Sequence, residues 1–232
     1  MTERRAIIER NVAAIRERIA AAARRSGRDT SAVRLVGVTK YVGLDEVRDV
    51  VAAGVRDLGE SRPQSLVEKA SALAELGVTS HLIGHWQTNK VKRTCPFVGF
   101  LHAGDSLKLL QAVASAAVEP LDVLLEVNIS GDTSKHGFAP DELEPLLPTF
   151  AQLPGIRVRG LMAMSGLESD ADQTRREFAA VRALRDRLSR VSPPGLSWDE
   201  LSMGMSGDFE IAIEEHATMV RVGSALFEGL DQ

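Results

Sequence analysis

The chain has 232 residues, of which 44% are hydrophobic and 26% charged, and its net charge is −4. That size and composition suit one large soluble domain or two small ones, and the mild negative charge offers no footing for nucleic acid or an anionic membrane. Cys95 is the only cysteine, which excludes an internal disulfide and a thiolate metal cluster. No apolar stretch approaches membrane-spanning length and the first residues carry no signal-peptide core, so a cytoplasmic protein with no membrane contact is expected.

Residues 3–25 predict a helix, because Ile8, Val12, Ile15 and Ile19 fall on one stripe, and Ser26-Gly27 stops it. Residues 33–40 follow as an apolar, β-branched run that reads as a strand buried on both faces and delivers Lys40 at its far end. A helical pattern from Leu44 ends at Gly54, and residues 55–60 form a second strand. Pro63 opens the next helix, with Leu66, Val67, Ala70, Leu73 and Leu76 inward, and Gly77 ends it. Strands are then expected at 81–84, 97–102, 121–128, 158–164, 196–203 and 219–223. Helices between them are expected near 89–94, 107–118, 141–151, 172–191 and 208–215.

Eight short strands alternating with helices predict the α/β class: a single (β/α)8 TIM barrel with an extra N-terminal helix, one domain over residues 1–232. The eighth strand lacks a full helix after it, and the first helix is the spare one able to fill that gap. An open doubly wound sheet would carry a G-x-G-x-x-G turn after a strand, and the sequence has none.

In such barrels chemistry sits at the carboxyl ends of the strands. Those ends give Lys40, Glu60-Ser61, His85, His102, Asn128, Met164-Ser165, Ser202-Met203 and Gly223-Ser224. Lys40 at the rim of a core reads either as a solvated strand-end lysine that snorkels into water, the commoner case for such a segment alone, or as a partly desolvated one, which would favour its neutral amine. The loop from Ser202 to Asp208 and the turn at Gly223-Ser224 can both offer amides and hydroxyls to an anion. Arg221, two residues before Gly223, faces the same side and needs a partner: either Glu60 or Asp57 in an ion pair, or an acceptor on a ligand. His85 reads more readily as a rim histidine than as a catalyst, and no His/Asp/Glu spacing makes a metal site. A lysine facing a phosphate pocket suits a Schiff base with a phosphorylated aldehyde, either pyridoxal 5′-phosphate (PLP) or a sugar phosphate.

Several segments resemble one family: Val36-Gly37-Val38-Thr39-Lys40, Leu58-Gly59-Glu60, the run from His81 to Lys90, Val127-Asn128-Ile129-Ser130, Gly160-Leu161-Met162-Ala163-Met164, the run from Leu201 to Asp208, and Val220-Arg221-Val222-Gly223-Ser224. Together they are similar to the YggS/PROSC family of pyridoxal phosphate homeostasis proteins, over nearly the whole chain and in the family's order. The resemblance implies the barrel of the alanine racemase N-terminal domain, without that enzyme's second domain, and PLP as cofactor, held as a Schiff base on Lys40. It implies that Arg221 faces the pyridine nitrogen and that Ser202, Met203, Gly223 and Ser224 surround the phosphate, with His85 and Asn128 as further contacts. It also implies buffering or delivery of PLP, with PLP-dependent apoenzymes as recipients.

Three positions depart from the family's usual residues. Ser61 stands where asparagine is usual, Ser224 replaces a threonine, and Thr39 replaces a serine. A racemase would need a second base, supplied in alanine racemase by a tyrosine, and the only tyrosine here is Tyr41, beside Lys40. A non-catalytic, monomeric PLP carrier is therefore expected, with a racemase-like enzyme, a lysine Schiff-base aldolase or a PLP-responsive adaptor as the alternatives.

Overall fold

The computed structural model describes residues 2–132, 136–166 and 168–230. Eight parallel strands close into a barrel in the order β1-β2-β3-β4-β5-β6-β7-β8. They are β1 (Arg34–Val38), β2 (Asp57–Glu60), β3 (Thr79–Leu82), β4 (Phe100–Gly104), β5 (Leu121–Val127), β6 (Ile156–Ala163), β7 (Glu200–Ser202) and β8 (Met219–Val222). The helices are α1 (Glu3–Arg25), α2 (Leu44–Ala52), α3 (Pro63–Ala72), α4 (Thr88–Thr94), α5 (Leu107–Ala116), α6 (Leu143–Ala151), α7 (Ala171–Val191) and α8 (Phe209–Glu214). The barrel and its extra first helix agree with the sequence reading.

Helix α1 takes the place of the missing last helix. Thr2 caps its start, and Ile8, Val12, Ile15 and Ile19 are buried against the barrel wall. It packs against α2 and α8. Asn11 then ties the chain's end in place, donating from Nδ2 to the carbonyls of Leu226 at 3.1 Å and Glu228 at 2.9 Å. That seam covers the junction where β8 pairs with β1, with Arg221 beside Val36.

Several strand boundaries differ from expectation, and the differences matter because they move side chains. The first strand stops at Val38, so Lys40 lies in the turn beyond it. Residues 95–97 make a tight turn around Pro96, so β4 starts at Phe100 and carries His102 in its middle rather than at its end. Strand β7 is only three residues long, since residues 196–199, expected in it, form no strand.

Strand β6 carries an irregularity that explains Gly160. Register slips between Val123 and Leu124 on β5, which pair with Val158 and Gly160 and leave Arg159 as the extra residue. Gly160 has φ +151, and a Cβ there would lie 1.8 Å from the Glu200 carbonyl oxygen. Gly160→Ala must therefore push β6 away from β7, and we expect a loss of about 3 kcal/mol in a urea unfolding curve. Gly27 has φ +69 but open space around it, so Gly27→Ala should cost only about 1 kcal/mol in the same measurement.

Candidate functional site

Lys40 is exposed, the solvated rather than the partly desolvated of the two readings, because the strand ends two residues earlier. Its Nζ lies 4.8 Å from the centre of the exposed Tyr41 ring. It makes no ion pair among the described residues. Its backbone base, in contrast, is held firmly. The Thr39 amide donates to Gly59 O at 3.0 Å, and its hydroxyl donates to Glu60 Oε1 at 2.6 Å. Lys69 reaches in from α3, donating from Nζ to Thr39 O and to Glu60 Oε1, each at 2.6 Å. This buried Lys69–Glu60 pair lies between the sheet and α3, and it clamps the residue that carries Lys40.

Arg221 is buried inside the barrel. It donates from one terminal nitrogen to Ser202 O at 2.8 Å and Ser202 Oγ at 2.5 Å, and from the other to Ala163 O at 3.0 Å. Neither Glu60 nor Asp57 is its partner, which removes both ion pairs considered from the sequence. Burial among neutral oxygens lowers its pKa to about 10, against the pull of Asp208 and Glu126, so it remains charged at neutral pH. Ser202 Oγ also lies 2.9 Å from His102 Nδ1. His102 Nε2 lies 2.8 Å from His81 Nδ1, and His81 Nε2 lies 2.9 Å from Asp57 Oδ1. Burial pushes both imidazoles down and keeps them neutral.

A third cluster flanks the mouth. His85 is exposed and its Nδ1 lies 2.5 Å from Asp105 Oδ2, while its ring stacks on His136 at 4.3 Å. Ligand atoms of His85, Asp105 and His136 lie within 4.8 Å of one another, but Asp105 already spends its carboxylate on the His85 ring. Glu126, buried next to this group, has its carboxyl raised to about 7, mainly by desolvation and then by the Asp105 charge. Asn128 turns its amide into its own loop, donating to Asp132 O at 2.7 Å.

The loops after β7 and β8 meet as expected, though through different atoms. Ser202 and Met203 are fully buried, and the Met203 amide donates to Met219 O at 3.1 Å. The convergent donors are instead the amides of Gly223 and Ala225, which point at Ser206 Oγ at 3.2 and 3.5 Å. Ser224 stands exposed at the start of the turn between them. Gly204, at φ +87, lets this loop fold tightly, since a Cβ there would lie 2.6 Å from Ala212 Cβ. Asp208 anchors the loop by accepting from Met205 N at 2.6 Å and from Ser165 Oγ at 2.8 Å.

The family model described as the alanine racemase N-terminal domain matches residues 11–231. The pyridoxal phosphate homeostasis protein of Pseudomonas aeruginosa is 41% identical over 227 residues, covering 97% of this chain and 96% of that one. The chain belongs to the pyridoxal phosphate homeostasis protein family. The solved structure of PipY from Synechococcus elongatus, with PLP bound, superposes with a TM-score of 0.77 at 33% identity, over 92% of this chain and 99% of that one. Alanine racemase from Corynebacterium glutamicum has a TM-score of 0.70 at 18% identity, over 98% of this chain and 64% of that one, and shares the barrel fold. Against this family background the sequence reading missed Lys69 and Glu126, named Asp57 only as a possible ion-pair partner of Arg221, and included Ser206 only as part of the anion-offering loop. A lysine on the inward stripe of α3, between Leu66 and Leu73, was a legible signal for the first.

Two outcomes test this geometry. Lys69→Ala leaves Glu60 buried and uncompensated, so stability should fall by about 3–5 kcal/mol, whereas the pair Lys69→Met with Glu60→Leu should recover most of it. Glu126 gives a pH signature. Its folded pKa, about 7, lies above the ordinary 4.5, so between those values the folded chain holds a proton that the unfolded chain has released. Its contribution is therefore complete below pH 4.5 and lost as pH rises to about 7. Relative to Glu126→Gln, the wild type should lose about 3 kcal/mol across that window in urea unfolding.

Proposed function

We propose that this chain binds pyridoxal 5′-phosphate at the carboxyl-end mouth of its barrel, holds it as a Schiff base on Lys40, and serves PLP homeostasis by buffering or delivery. The observation that carries the reading is the combination at one barrel end of an exposed primary amine with no ion pair among the described residues, a buried guanidinium and two convergent amides. The donor set fits the group. The Gly223 and Ala225 amides are already aimed at one oxygen, that of Ser206, and a phosphate oxygen has the same acceptor chemistry.

Lys40 supplies the amine, and its exposed stem leaves it free to swing over the mouth from the clamped backbone of Thr39. Arg221 offers hydrogen-bond donors toward a ring nitrogen and gives up no proton at neutral pH. Ser206, Gly223 and Ala225 receive the phosphate, with Ser224 at the rim, while Ser202 and Met203 hold the loop and the guanidinium from behind. His85 and Asn128 lie at the mouth's edge as secondary contacts. PLP supplies an aldehyde and an electron-accepting ring.

The carrier reading is favoured over a racemase-like enzyme or an aldolase by the place of Tyr41. It is 84% exposed, and its ring lies by the Lys40 ammonium rather than across the mouth from it. PLP-dependent apoenzymes are the expected recipients, and the carrier is expected to act as a monomer in the cytoplasm. No helix of the described residues is long and apolar enough to cross a membrane.

Borohydride treatment of the PLP-loaded chain should fix the cofactor on the peptide containing Lys40 and on no other, read by peptide mapping and mass spectrometry. Lys40→Ala should abolish the visible absorbance of the bound aldehyde. An unmodified Lys40 after reduction would sink the proposal. Solvent deuterium appearing at the α-carbon of an added amino acid would favour the racemase alternative instead.

A further inference from the structure

Asp57, His81, His102 and Ser202 are polar side chains threaded through the barrel interior from β2 to β3, β4 and β7, and of the four the reading above gives a task to Ser202 alone. The path starts in a cleft of about 510 Å³ at the amino-end face, where Asp57 lies with Arg16 and Arg56, and it finishes on the guanidinium under the mouth. His81 and His102 are fully buried, and Phe100 stacks on His81 and meets His102 edge-on. A hydrophobic filler would serve that space without needing four aligned polar groups.

Proton logic gives the path one direction. Arginine only donates, so Ser202 Oγ accepts from Arg221. The serine's own proton is then directed to His102 Nδ1. With Nδ1 accepting, neutral His102 carries its proton on Nε2 and donates it to His81 Nδ1. His81 in turn carries its proton on Nε2 and donates it to the Asp57 carboxylate. The reverse polarity needs a protonated Asp57, and it leaves Ser202 Oγ accepting from both sides with its own proton turned away from the path.

We propose that these four residues form a positioning relay: ionised Asp57 at the amino-end face selects one tautomer on each histidine, and so holds Ser202 as the acceptor that fixes Arg221 under the mouth. The inference rests on the PLP-binding reading for its use, but the relay itself is a property of the chain without cofactor. Other charges facing it are Arg34 and Glu200, which pair at 3.5 Å beside His81, and Glu126 and Asp208 on the far side of Arg221. The Arg34–Glu200 pair is close to neutral as a unit, which leaves Asp57 as the anion in direct contact with the path.

The test has two readouts on the full-length chain. Nitrogen-15 NMR of the cofactor-free protein near neutral pH should show both His81 and His102 neutral, with the proton on Nε2. PLP titration followed by absorbance should show His102→Phe raising the Kd about tenfold, and Asp57→Leu about fivefold, with the His81 proton moved to Nδ1 in the latter. His102→Gln keeps an acceptor for Ser202 and a donor for His81, and should restore the Kd to within about threefold. A proton on Nδ1 of either wild-type histidine overturns the relay. So does a folded His102→Phe chain, checked by circular dichroism, that binds PLP with the wild-type Kd. A wild-type chain that takes up no PLP ends the functional proposal alone, because the tautomers still decide the relay.

Discussion

A charge placed inside a β-barrel with no carboxylate hydrogen-bonded to it among the described residues sets the terms for everything around it. Arg221 is 4% exposed and its direct partners are two carbonyls and one hydroxyl. Taking an ion out of water costs several kcal/mol even after relaxation, so each of those oxygens must be presented in place. Ser202 supplies two of them, Ala163 the third, and both sit at the ends of strands that flank the mouth. The short β7 is enough for this task, since its last residue is the one that matters. The interior neighbours then have to be neutral, and burial keeps His81 and His102 that way. A second buried cation in the same layer would raise the cost of the first.

A buried ion pair lies on the other side of the same sheet. Lys69 and Glu60 hold Thr39 from the helix layer, while Arg221 is held from the barrel interior. One ionic group is thus fixed on each side of the wall formed by β1, and β1 pairs directly with β8. Lys40 projects from that doubly anchored stretch on a flexible stem of its own. The arrangement separates rigidity from reach. Backbone and guanidinium are held to within hydrogen-bond distances, while the Lys40 side chain is exposed and makes no ion pair among the described residues.

Much of this was legible from the sequence, and the reasons are physical. The alternation of strands and helices survives because each strand is buried on both faces and each helix shows an inward stripe, signals that need no tertiary knowledge. The pairing of Arg221 with Gly223 on one side also held, since side chains alternate along a strand: a Cβ on Gly223 would meet Val38 Cβ at 3.3 Å. Strand ends were less legible. Two residues of error at Lys40 carried the strand on to a lysine that lies in the turn beyond it, and two at His102 turned an interior residue into a rim residue. Long-range partners were not legible at all. His102 and Ser202 are 100 residues apart, and only closure of the barrel brings them within 2.9 Å.

Ser202 shows why a site residue cannot be assigned from its motif position alone. The family resemblance places it beside the phosphate, yet its hydroxyl is already committed twice, accepting from Arg221 and facing His102. A serine hydroxyl has one proton to give and two lone pairs to offer, and a buried one cannot also turn outward without leaving both partners unsatisfied. Ser206, four residues later, has no such conflict: its oxygen lies where the Gly223 and Ala225 amides converge. The two serines of the Ser-Met-Gly-Met-Ser segment thus divide the work, the inner one holding the guanidinium and the outer one accepting from the amides of the turn after β8. The tight turn at Gly204 makes that division possible, because it reverses the chain between them and lets one short loop serve the barrel's interior and its mouth.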